Sequence, residues 1–219
     1  MLSGFLGSTV GKKYVMGITG LIWAGFVLAH MAGNLLIFIS NDAYNAYGHA
    51  LTSGNLIYVA ETVLVLALLV HVYMAFSLTA ANRAAKQQKY AVQAKGAKRV
   101  SLASRTMAIQ GSLILVFVIL HIATFKFGTY YETNVNGVVM RDLAKLMEEV
   151  FQSPAYVAWY VVALILLGFH LSHGVGSTFQ SLGLMEGTYR PVWAKLSIAY
   201  AVIVALGFIA QPLYLFLTR

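Results

Sequence analysis

The chain has 219 residues, 59% of them hydrophobic and 10% charged, with a mean hydropathy of +0.74. Soluble globular domains carry about 25% charged residues, so this composition excludes an ordinary water-soluble domain and marks an integral membrane protein. The net charge is +8, but the cations cluster between apolar runs, where helix orientation in a membrane accounts for them and no nucleic-acid partner is implied. With no cysteine in the chain, disulfides, thiolate metal sites and covalently attached c-type haem are ruled out.

Five apolar runs in the sequence exceed the roughly 18 residues that mark a transmembrane helix. Lys12 and Lys13 precede the first, residues 14–39, which is too long for the apolar core of a signal peptide, about 7 to 15 residues. Residues 40–55 mix turn formers with tyrosines and His49 and predict a short interfacial turn. A second span covers residues 56–80. Residues 82–105 then hold seven Lys or Arg and no acid, which places this loop on the cytoplasmic side. The third span, residues 106–127, leads into a loop with Glu132, Arg141, Asp142, Lys145, Glu148 and Glu149, a net charge of −2. Within it Val139, Met140, Leu143, Leu146, Met147 and Val150 recur at helical spacing and predict a helix lying in the membrane interface. Ser153 and Pro154 read as an N-cap and a first-turn proline opening the fourth span, residues 155–180. A short inner turn with Gly183, Glu186, Gly187, Arg190 and Pro191 precedes the fifth, residues 192–217. The expected architecture is an all-α membrane protein, one domain over residues 1–219, built as a five-transmembrane-helix bundle with its N-terminus inside and its C-terminus outside.

The first four spans each carry a histidine deep in the apolar run: His30, His71, His121 and His170. An ionisable residue there is costly unless partnered, and is a functional candidate for that reason. Orientation gives their depths. His30 lies 17 residues beyond Lys13, about 25 Å along a helix, and His121 lies 16 beyond Arg105, so both reach the outer leaflet. His71 is 12 residues before Arg83 and His170 is 16 before Glu186, so both sit toward the inner leaflet. Two imidazole pairs result, each drawn from two helices at one depth. Bis-histidine ligation of haem needs this arrangement, with one axial nitrogen from each face of the macrocycle. A lone intramembrane histidine is commonly an interhelical hydrogen-bonding contact, but four, one per helix and matched in depth, point further. A weak repeat agrees: Gly20 and Gly111 stand ten residues before His30 and His121, while Ala75 and Gly174 follow His71 and His170 by four, leaving room on the same helix face for a flat ring. His173 is three residues from His170 and competes with it by spacing alone. His49, in a polar turn, reads as an interfacial histidine.

These residues resemble the cytochrome b membrane anchor of succinate:quinone oxidoreductases (succinate dehydrogenase or fumarate reductase), of the single-chain, five-helix, two-haem type. The resemblance covers nearly the whole chain. It rests on LAHM around His30, LLVHVYMAF around His71, QGSLILVFVILH ending at His121, SPAYVAWY opening the fourth span, and FHLSHGVGS followed by Gly183. It implies two b-type haems, a distal one held by His30 and His121 and a proximal one held by His71 and His170. It favours His170 over His173, because the family's ligand stands thirteen residues before a glycine, here Gly183. Some quinol-oxidising members carry a glutamate two residues before that ligand; this chain has Gly168, so the proton route associated with that acid is not implied.

A quinone site is needed where electrons enter or leave. Glu61 lies ten residues outward from His71, roughly 15 Å, and two readings stand: a carboxyl that exchanges protons with quinone, or an acid resting at the headgroup boundary. Tyr44, Tyr47 and His49 lie on the same side. No motif for flavin, nucleotide, iron-sulfur cluster or dicarboxylate is present, so the resemblance assigns those to a flavoprotein subunit and an iron-sulfur subunit docked on the cytoplasmic face of a prokaryotic inner membrane, and it allows a dimer of such complexes. Lipid phosphates are further partners of the basic loop. Two rival readings are an ascorbate-type two-haem transmembrane cytochrome b and a haem-free transporter using the histidines as a proton relay.

Overall fold

A computed structural model of the chain describes residues 2–85, 101–185 and 189–219. A short helix α1 (Leu2–Gly7) precedes α2 (Thr9–Asn34), which starts where the Ser8 hydroxyl accepts a hydrogen bond from the Gly11 amide at 3.0 Å. α2 tightens into a 3-10 turn, Leu35–Phe38, before α3 (Asn41–Thr52). Then follow α4 (Leu56–Ala85) and α5 (Leu102–Phe125), a hairpin of β1 (Glu132–Val135) and β2 (Val138–Arg141), α6 (Leu143–Phe151), α7 (Pro154–Ser181) and α8 (Arg190–Thr218).

Five of these segments, α2 with its 3-10 extension, α4, α5, α7 and α8, are 24 to 30 residues long and apolar enough to cross a membrane. At 1.5 Å per residue they span roughly 36 to 45 Å, more than the hydrocarbon core requires. All five expected spans are present, and the chain has the features of a multi-pass membrane protein. α7 is the central helix, packing on α8, α2 and α5, while α4 leans mainly on α2 and barely meets α5. Side chains such as Leu66, Leu69, Phe76, Ile109 and Ile119 are exposed on α4 and α5, as suits surfaces facing lipid. α7 ends in a Schellman motif: Gly183 adopts φ 75°, and the Leu184 and Gly183 amides donate to the Phe179 and Gln180 carbonyls at 2.9 and 3.2 Å.

The connections at one end of the bundle differ from the sequence reading. Residues 40–55, expected as a turn, contain α3, whose N-cap Ser40 accepts from the Ala43 amide at 3.0 Å. Val139 and Met140 belong to β2, not to a helix. Asn136 and Gly137, at φ 53° and 86°, form the two-residue turn that pairs Val135 with Val138. The helix that follows is shorter than expected and begins at an Asp142 cap that accepts from the Lys145 amide at 3.0 Å. Its apolar face does not lie on lipid: Leu146 is buried, and Ala144, Met147 and Phe151 lie in a core shared with Ile37, Tyr44, Val157, Tyr160 and Leu215. Burying such side chains contributes about 1.5 to 3 kcal/mol each. Asn45, 2% exposed, fastens this cap by donating to Asp142 Oδ1 at 2.8 Å and accepting from the Ala144 amide at 2.9 Å. We call this the hairpin end. Most of the basic loop (residues 86–100), together with Glu186 and Gly187 of the turn after α7, lies outside the described residues.

Candidate functional site

Four long helices bring the deep histidines together in two pairs. On the hairpin side, His30 of α2 and His121 of α5 have ring centroids 5.9 Å apart; toward the opposite end, His71 of α4 and His170 of α7 have centroids 6.5 Å apart. Metal–imidazole bonds are about 2 Å long, so two rings coordinated on opposite sides of one metal ion have centroids roughly 6 Å apart. The ring planes meet at 83° and 61°. Rotation of either ring about its own metal–nitrogen bond accommodates any such angle.

The protein contacts of these rings run through Nδ1. His71 Nδ1 lies 3.1 Å from the Met16 carbonyl and 3.2 Å from Thr19 Oγ1, and His121 Nδ1 lies 3.0 Å from the Tyr160 hydroxyl. The Met16 carbonyl can only accept, so it holds a proton on His71 Nδ1 and leaves the Nε2 lone pair free, the pattern that orients metal-binding histidines; the Tyr160 hydroxyl is able to do the same for His121. His30 Nδ1 sits 3.3 Å from Asn34 Nδ2, which also donates to the His30 carbonyl at 2.8 Å; Asn34 Oδ1 in turn accepts from the Tyr44 hydroxyl at 3.0 Å. His170 Nδ1 is buried with no partner among the described residues, which leaves the polarity of this ring unanswered by them.

Glycine lets neighbouring helices approach the far pair. A Cβ on Gly20 would stand 3.3 Å from His71 Cε1, and one on Gly111 would stand 3.5 Å from His170 Cε1. Spacing associated these glycines with His30 and His121, but both face the other pair. The ten-residue interval therefore separates the two levels, by about 15 Å. A Cβ on Gly174 would meet open space, and Ala75 is half-buried on α4.

The remaining candidates fall elsewhere. His173 forms no ring pair with His71. His49 lies near the end of α3, apart from both pairs. Glu61 of α4 forms an ion pair with Lys126, the C-cap of α5, with both side chains about two-fifths exposed. Tyr44 is buried, and burial raises its phenol above the ordinary value. Tyr47 packs its ring where a Gly33 side chain would otherwise be. The groups around the imidazoles (Met16, Thr19 and Tyr160) were not singled out from sequence. Thr19 and Met16 adjoin Gly20, but contacts across helices leave no spacing signal.

The donor set and its surroundings fit haem: paired imidazoles with ring centroids 5.9 and 6.5 Å apart, an oxygen beside Nδ1 on two of the four rings, His71 and His121, and glycine beside the far pair. No group of three or more His, Asp or Glu that could hold a bare metal ion occurs among the described residues. Comparison with known proteins gives no match to any family model, curated protein or solved structure.

Proposed function

We propose that this chain is the membrane-anchor cytochrome b of a succinate:quinone oxidoreductase, in which His71 and His170 hold one haem b and His30 and His121 hold the other. The observation that carries this reading is the pairing of four half-buried imidazoles, from four helices at two levels, at centroid separations of 5.9 and 6.5 Å. Haem supplies one-electron transfer when bound. The chain's part is to present Nε2, hold Nδ1 through Met16 and Tyr160, and surround the rings with apolar side chains that exclude water. With levels about 15 Å apart, two centres form a path across most of the membrane.

In this reading the His71/His170 level faces the cytoplasm, beside the basic loop, where the iron-sulfur and flavoprotein subunits dock. The His30/His121 level faces a quinone site near Glu61. Purification in mild detergent should bring down a flavoprotein and an iron-sulfur subunit, and succinate should reduce quinone through the preparation. A two-haem chain that is reduced by ascorbate and carries no flavin would replace this reading with the ascorbate-type one. A preparation without Soret absorption would point to a proton relay.

A further inference from the structure

We propose that Tyr160 is a positioning residue for His121: its phenolic oxygen accepts the Nδ1 proton of the imidazole and so fixes Nε2 as the iron-binding nitrogen of the hairpin-side pair. This rests on the haem reading above.

The Tyr160 oxygen lies 3.0 Å from His121 Nδ1, a normal hydrogen-bond length. The phenol is held where it is by packing. Tyr160 is 6% exposed, and the rings of Phe117 and Phe151 meet it edge-on at 4.9 Å, with Phe125 at 6.1 Å. It belongs to the buried core at the hairpin end, which ties α6, α7 and α8 together. Phe117 and Phe125, one turn to either side of His121 on α5, contact both rings. The hydroxyl is therefore aimed at one atom by a rigid aromatic cluster.

The four rings differ in what holds them. His71 uses the Met16 backbone carbonyl, supported by Thr19, and His170 has no partner among the described residues. His30 faces an amide nitrogen. Only at His121 does a single side-chain oxygen stand opposite Nδ1 with no backbone acceptor beside it among the described residues. An acceptor on the second nitrogen makes an imidazole a stronger donor to the metal and favours the oxidised iron. Removing that oxygen should raise the midpoint potential of one haem and leave the other unchanged.

The test is Tyr160→Phe in the full chain, purified with whatever subunits accompany it, beside Tyr156→Phe as a control. Tyr156 is a neighbouring phenol, 6.4 Å away between centroids, whose hydroxyl lies near Thr124 instead. Potentiometric titration and low-spin electron paramagnetic resonance of the haems are the readouts. The expected result is an upward shift and an altered signal for one haem in Tyr160→Phe and none in Tyr156→Phe. Loss of one haem alone in Tyr160→Phe also supports the proposal, since the retained haem reports a folded bundle. Two haems with unchanged potentials and signals would overturn it, as would loss of both, which would assign the phenol to the fold. Absence of haem from the unmodified chain would instead overturn the haem reading itself.

Discussion

His71 and His170 face one another from α4 and α7 with ring centroids 6.5 Å apart, and Gly20 of α2 and Gly111 of α5 leave space beside them. Each of the four helices thus contributes to one small region, two by an imidazole and two by the absence of a side chain. The first test follows from the pairing. His71→Ala and His170→Ala should each abolish the same haem, and His30→Ala and His121→Ala the other. His49→Ala and His173→Ala should retain both. Pyridine haemochrome quantification of each variant checks this, and a histidine whose loss does not match that of its partner would break the assignment.

Substitution at Gly20 should act on His71 alone. A single Cβ would already stand 3.3 Å from the ring, and the branches of valine would reach further into it. Overpacking of this kind costs about 1 to 3 kcal/mol. Gly20→Val should therefore reduce occupancy of the His71/His170 haem while sparing the other, as read from the two components of the reduced α-band. Equal loss of both components would place the effect in the fold.

The cap at the hairpin end depends on Asn45. Asn45→Ala removes the donor to Asp142 and the acceptor for the Ala144 amide, both at the start of α6. Leaving buried groups unpaired costs about 1 to 3 kcal/mol, which in a chain of this size lowers the unfolding temperature by roughly 2 to 12 °C. Thermal unfolding in detergent measures it, and a change under a degree would show that water replaces the amide without loss.

Glu61 offers a contrast between stability and chemistry. Its ion pair with Lys126 is about two-fifths exposed, and exposed pairs contribute about 1 kcal/mol or less. Glu61→Gln should leave the unfolding temperature and both haems unchanged. If the carboxyl exchanges protons with quinone, quinone turnover should fall by about a hundredfold. Unimpaired turnover would confine Glu61 to its partnership with Lys126.

What was legible in the sequence followed from long-range physical constraints. A membrane demands apolar helices of fixed length, so all five spans were recoverable, and counting residues from flanking charges brought His30 to the level of His121 and His71 to that of His170. Rotation about each helix axis was not recoverable. Gly20 and Gly111 were associated with the wrong pair, because ten residues along a helix joins one level to the other. The cap failed for a local reason: Val139 and Met140 fit a helical period when merged with α6, although the Asn136–Gly137 dipeptide between β-branched residues is a hairpin signal. Tyr160 was invisible because nothing within its own helix indicates that its hydroxyl reaches α5.

The central claim is that the paired imidazoles hold haem, and a reduced-minus-oxidised spectrum with haem quantification on the purified chain tests it most directly. The account predicts b-type α-bands and two non-covalent haems per chain. A stoichiometry near zero, with the protein folded and helical, would contradict it.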